Sequence, residues 1–373
     1  MAIEYETEFF TQGSIYDIRS KTTRRKVKSY FSIPDDGVNE HTGILLFIAG
    51  FGGNSNSNVY KKMRNLFSDK YNLVTIQCDY FGWEFMQDSD KFETPKIDRE
   101  IIENIFNEKE INDLYIDNKL DFKKFLEMAS KYNINLEVNA ILEENAENFN
   151  DMGLMQAIDN ITVVLNVMNI LYDNGYVFNS KKVIMYGQSH GAYLSYLCNA
   201  LAPTIFSLII DNSAWTYPLY ISNNNKRFLT SYIGNMKIIT QFNYLAKQII
   251  DDNQIFDLKW LYSQFKNNCN IISYHGTNDN LISNFEKKIF CNNISNCKYI
   301  EISEKDVDNV IFKSTNHSLD ADFLKLFDYT MNNMNIQFKK CDTLDLINKV
   351  EYSTYKHKYI MDYSNIIPEI RIL

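Results

Sequence analysis

The chain has 373 residues, 45% of them hydrophobic, with only 13 Gly and 5 Pro, enough for one large domain with a sizeable core. Its 38 Lys and Arg against 47 Asp and Glu leave a net charge of −9, which speaks against nucleic acid or an anionic membrane surface as the main partner. The opening MAIEYETEFF has no basic stretch followed by an apolar run, and apolar runs such as Ile44 to Ala49 are too short to cross a bilayer. Six cysteines, at 78, 198, 269, 291, 297 and 341, form no C-x-x-C pair and no metal-ligand spacing. The expectation is a cytoplasmic protein with reduced thiols, needing no metal and no organic cofactor.

Two extended segments come first, around Ile3–Phe10 and Val27–Ile33, and predict an antiparallel entry to a sheet. GILLFIAG (43–50) is a continuous apolar run of buried-strand type, followed by a glycine-rich loop and the helical stretch VYKKMRNLFSDKY. LVTIQCDYFG (73–82) is the next strand. Leu154, Ile158, Ile161, Leu165, Met168 and Tyr172 recur at helical spacing, and Gly175 can end that helix. KKVIMYG, FSLIIDNS, NIISYHG and KYIEIS are further strands with helices between them. Strands alternating with helices predict an α/β domain whose mostly parallel sheet is covered on both faces.

Two stretches interrupt the alternation. Residues 84–150 hold 17 acidic against 8 basic residues, a local charge of −9, and contain the amphipathic DFKKFLEMASKY. Residues 216–268, rich in Tyr and Phe, read as a second helical insertion. Both leave from carboxyl ends of strands, where a parallel sheet binds its ligands, so both are expected to cap a site. Phe122, Phe125 and Leu126 are expected to pack over that site or against 216–268 and to wall a pocket. The acidic outer face would then disfavour polyanionic substrates. The C-terminal extension, 335–373, shows no period.

KKVIMYGQSHGAYLSYL carries the chemistry. A strand runs into Gly187-Gln188-Ser189-His190-Gly191 and then into a helix. A serine on so sharp a turn stands clear of the backbone, and the turn leaves room only for small residues two positions either side. Composition alone would yield only ~0.03 matches to G-x-S-x-G in such a chain. A hydroxyl needs a base to take its proton and donors to hold the oxyanion. Asp279 in HGTNDNLIS and His317 in STNHS follow in the order acid, then base, each on a loop. Asp211, one strand earlier, competes for the acid's place, while His275 reads as a brace for the Asp279 loop. The amide of His190 and that of Phe51, with Gly52 second, are the candidate oxyanion donors from the elbow and from AGFGGNSNSN. Asp79 reads as fixing loop geometry.

From about 43 to 334 these motifs resemble the α/β-hydrolases, nearest to the prolyl-oligopeptidase and acetyl-esterase branch. The resemblance rests on FIAGFGG, YGQSHGAY, HGTNDNLIS and STNHS, and it departs at Ala49, where that branch usually has the histidine of an HG motif. FIAGFGGN with GQSHGAYLS also resembles a little-characterised bacterial hydrolase-like family, often encoded among genes for flagellin glycosylation and surface polysaccharide. The resemblance implies a Ser189–His317–Asp279 triad acting on a small acylated substrate, by association a sugar or glycoconjugate. Acyl transfer to a sugar hydroxyl, and a non-catalytic binding role for the same fold, are the alternatives.

Overall fold

The structure, a computed structural model, describes residues 1–373 except 21, 88–90, 118, 223–224 and 366, so parts of both insertions lie outside the described residues. Numbering only the strands of the central sheet, these are β1 (Ile3–Gln12), β2 (Arg24–Ile33), β3 (Gly43–Ile48) and β4 (Leu73–Asp79). They continue with β5 (Val183–Gln188), β6 (Leu208–Asn212), β7 (Asn270–Gly276) and β8 (Cys297–Ile302). Their spatial order is β1-β2-β4-β3-β5-β6-β7-β8, with β1 and β2 antiparallel and β3 to β8 mutually parallel. The central strands are buried on both sides, which explains their unbroken apolar sequences.

Each face takes alternate side chains of β3. Ile44, Leu46 and Ile48 join the core beneath helices Leu154–Asp173 and His190–Leu201, whereas Leu45 and Phe47 pack beneath Asn58–Tyr71 and Phe323–Asn333. Helix Leu154–Asp173 is long and apolar enough to cross a membrane by composition, yet most of it is buried inside the protein. The antiparallel entry, the alternation and the mostly parallel sheet agree with the sequence reading, and this strand order is that of an α/β-hydrolase fold.

The insertions differ from expectation. The first does hold helices Arg99–Ile105, Glu108–Leu114 and Phe122–Ala129, the last capped by Asp121, which accepts from the Lys124 amide at 3.1 Å. It also holds a strand, Asn135–Asn139. The second insertion is not mainly helical: strands Arg227–Ile233 and Met236–Phe242 form a hairpin closed by Gly234-Asn235, with Gly234 at φ 57°. That two-residue glycine turn between β-branched and aromatic runs is a hairpin signal, and it outweighs the aromatic content that read as helix. Met236–Phe242 pairs in parallel with Asn135–Asn139, so the two insertions fuse into one cap through a three-stranded sheet.

Phe125 is buried in the cap's own core, beside Met236 and Ile238, with Phe122 and Leu126 packed against that cluster. This face therefore meets the second insertion and does not wall the Ser189 pocket, because the strand at 135–139 already gives it a sheet to cover. The C-terminal extension carries a three-stranded antiparallel sheet, Lys349–Ser353, Lys358–Asp362 and Glu369–Ile372. Its tyrosines tie it to the main domain: the hydroxyls of Tyr352 and Tyr363 donate to the carbonyls of Ala200 (2.7 Å) and Leu201 (2.9 Å).

Candidate active site

The register lines up the carboxyl ends of three neighbouring strands, with Gln188 of β5 opposite Asn212 of β6 and Asn212 opposite Tyr274 of β7. Ser189 follows β5 at φ 55°, ψ −118°, a conformation that costs a non-glycine residue about 1–3 kcal/mol. Two backbone bonds hold it, Ser189 N–H to Asn212 O at 2.8 Å and Tyr193 N–H to Ser189 O at 3.0 Å. The flanking glycines are required by space. A Cβ on Gly187 would lie 2.4 Å from the Gly191 carbonyl carbon, and one on Gly191 would lie 2.2 Å from Ile48 O.

Ser189, His317 and Asp279 are brought together. The Ser189 hydroxyl donates to His317 Nε2 at 2.7 Å, and His317 Nδ1–H donates to Asp279 Oδ2 at 2.8 Å. The carboxylate thereby sets the tautomer that leaves Nε2 free to accept. Asp279 is fully buried, and its Oδ1 accepts the amides of Leu281 and Ile282 at 2.9 and 3.0 Å. Burial works to raise its pKa, but the His317 hydrogen bond and charge and the Ile282 amide hold it below the usual carboxylate value. His275 is buried behind this loop, where its Nε2–H donates to Ile282 O at 3.1 Å. Burial, then the charge of Lys287, lowers the pKa of His275, and with Nε2 committed to Ile282 it braces the loop, while the contact to Ser189 is made by His317.

Asp211 is committed elsewhere. It is paired with the buried Lys287 ammonium at 2.8 Å and also accepts from the Tyr196 hydroxyl, the Ser273 hydroxyl and the Ala214 amide. Asp79 accepts from the Tyr30 hydroxyl at 2.9 Å and is not among the residues lining the Ser189 cavity.

His190 is fully buried, its ring packed against Tyr193 and Trp215 with Nε2–H donating to Gln156 Oε1 at 2.7 Å. Burial pushes its pKa down to about 3, so the ring stays neutral. Its amide is in the first turn of the helix after Ser189, where amides lack intrahelical acceptors. On the facing loop, the Gly52 amide already contacts Met86 Sδ at 3.3 Å, whereas the Phe51 amide has no acceptor among the described residues. That ranks Phe51 ahead of Gly52.

Several site residues had not been singled out from the sequence. Asn212 and Ser213 anchor the base's loop: Ser318 N–H donates to Ser213 Oγ at 3.1 Å, and Asn212 Nδ2 donates to Ser318 O at 3.1 Å. That loop needs anchoring, since Ser318, Leu319 and Asp320 all have positive φ. The cavity in front of Ser189, about 300 Å³, is lined among others by Phe51, Trp215, Tyr220 and Arg227. The run DNSAW directly after a strand end was the available signal for the first two and for Trp215; Arg227 had none. Among the described residues no cluster of His, Cys, Asp and Glu is arranged to hold a metal ion.

The sheet order and the strained serine turn thus define an α/β-hydrolase fold. More particularly, residues 17–366 match the family described as "Protein of unknown function (DUF2920)", and the chain belongs to that family. No curated protein matches the chain. Among solved structures, Est1E from Butyrivibrio proteoclasticus, with ferulic acid bound, is similar at 14% identity and TM-score 0.46, covering 83% of this chain and 96% of its own. Esterase 2 from Thermogutta terrifontis, phosphoramylated by tabun, is similar at 11% identity and TM-score 0.44, covering 87% and 95%. An alpha-beta serine hydrolase homologue from Coxiella burnetii stands at 12% identity and TM-score 0.39, covering 88% and 97%. Scores this low leave the fold assignment resting on the strand order itself.

Proposed function

We propose that the protein is a serine hydrolase that cleaves a short acyl ester, the alcohol being a sugar or glycoconjugate. The observation that carries this reading is the unbroken relay from Ser189 Oγ through His317 to buried Asp279, at 2.7 and 2.8 Å, on a strained turn. His317 takes the Ser189 proton as Oγ attacks the acyl carbon, and Asp279 stabilises the imidazolium that forms. The amides of His190 and Phe51 hold the oxyanion. His317 then returns the proton to the leaving alkoxide, and a water activated the same way releases the acid. At roughly 30 Å³ per liquid water, the 300 Å³ cavity holds on the order of ten heavy atoms, which favours a small acyl group. The rings of Phe51, Trp215 and Tyr220, with centres 5.6–5.7 Å apart, give the cavity an aromatic wall. All six cysteines are free, which supports a reducing, cytoplasmic setting.

A fluorophosphonate probe should label the wild type at Ser189 and leave Ser189→Ala unlabelled, with acetate release from a model ester falling about 10⁴-fold or more. Equal labelling of both proteins would remove Ser189 from the mechanism.

A further inference from the structure

Arg227 is out of place in a pocket built only to hold a neutral ester. It lies on the cap hairpin, half-buried, and lines the Ser189 cavity together with Phe51, Trp215, Tyr220 and His317. No Asp or Glu lines that cavity, and no carboxylate pairs with Arg227 among the described residues. Its guanidinium carbon sits 4.9 Å from the Phe51 ring centre and 5.6 Å from that of Tyr220. Ring faces attract the charge but accept no in-plane N–H bond. Among the described residues its side chain makes one hydrogen bond, a long one of 3.5 Å to the Tyr220 hydroxyl, and Arg227 Nε is buried with no acceptor among them. Trp215, 2% exposed and on the same wall, also has its Nε1–H buried and unpartnered. One cation without a carboxylate partner among the described residues thus lines a cavity that holds about ten heavy atoms, and the two buried, unpartnered donors mark that wall as polar-deficient.

We propose that Arg227 is a specificity-determining residue that binds a carboxylate on the substrate, within a few bonds of the ester that Ser189 cleaves. The inference rests on the hydrolase reading and sharpens it: the ester is that of an acidic sugar or hydroxy acid. The planar guanidinium fork matches the two oxygens of a carboxylate, and no lysine lines the cavity to help neutralise a dianion. Arg227 belongs to the second insertion, so the charge lining the cavity does not come from the acidic first insertion, whose outer face was expected to disfavour polyanionic substrates.

The test compares acetate release from three O-acetylated sugars: glucuronic acid, glucose and glucose 6-phosphate. Wild type should prefer the uronate over glucose in kcat/KM by about 10²-fold, the scale of one charge-assisted bidentate contact. Arg227→Gln should erase that ratio, and Arg227→Lys, which keeps charge but not the fork, should retain only part of it. Fluorophosphonate labelling and a melting curve on each variant establish that the fold and Ser189 remain intact. A wild type without the preference, or an Arg227→Gln enzyme that keeps it, overturns the inference while labelled Ser189 leaves the hydrolase reading standing. A preference for the phosphate over the uronate overturns the carboxylate assignment, and an unlabelled wild type sinks both readings.

Discussion

Replacing Asp211 by Asn separates the two carboxylates that compete for the role of triad acid. Asp211 and Lys287 are both fully buried, with Nζ 2.8 Å from Oδ2. Burial acts to lower the pKa of Lys287, but the Asp211 charge and hydrogen bond outweigh it and hold the amine above its ordinary value. Asn keeps the shape at 211 but withdraws the charge. The ammonium is then left with the Ala214 carbonyl at 3.2 Å and the Tyr196 ring at 4.8 Å. Removing one partner of a buried pair costs about 3–5 kcal/mol. At about 2.1 cal/mol/K per residue, unfolding 373 residues carries an entropy near 0.8 kcal/mol/K, so the melting temperature should drop by about 4–6 °C. Adding Lys287→Met, which removes the orphaned charge, should restore most of it. Ester turnover by the folded Asp211→Asn protein should stay within about threefold of wild type, because Asp211 makes no contact with His317. Asp279→Asn should behave oppositely, losing about 10⁴-fold in kcat with little change in melting, since an amide no longer enforces the Nδ1–H tautomer. Melting curves beside acetate-release rates decide it. A dead, normally melting Asp211→Asn next to an active Asp279→Asn would transfer the acid to β6.

Glu144 ties the insertions together, accepting the Asn150 amide at 2.9 Å and the Leu245 amide at 2.7 Å. Burial, opposed by those amides, raises its carboxyl to about 7. A folded value above the unfolded one means stability that is full below about pH 4.5 and is lost as pH rises through 7. After discounting for partial exposure, wild type should lose roughly 1–2 kcal/mol between pH 4.5 and 8 that Glu144→Gln does not, read from urea midpoints at each pH. Phe125 is 1% exposed within the cap core, so Phe125→Ser should loosen the cap by about 3–5 kcal/mol. Hydrogen exchange should then speed up in 99–139 and 227–242 while β5 and β6 stay protected; uniform acceleration would make the cap inseparable from the main core.

Much of the catalytic apparatus is local chemistry, and local chemistry can be read along the chain. The elbow is dictated by contacts within a few residues: Gly187 and Gly191 flank Ser189 because a Cβ at either would strike backbone. The apolar runs of β3 to β7 announce strands buried on both faces, and the order serine, acid, histidine follows from which strand ends come last. The cap was read poorly for the opposite reason. Asn135–Asn139 becomes a strand by pairing with Met236–Phe242, about a hundred positions away, and neither segment shows its partner. The choice between Asp279 and Asp211 was likewise tertiary, since Asp211 is excluded by Lys287, which folds back against it from a later helix. Arg227 is the furthest case: one arginine in a hairpin, given its meaning only when the cap sets it over Phe51 beside Ser189. Sterics within a turn act between neighbours in sequence, whereas charge placement depends on contacts whose partners the chain brings together only on folding.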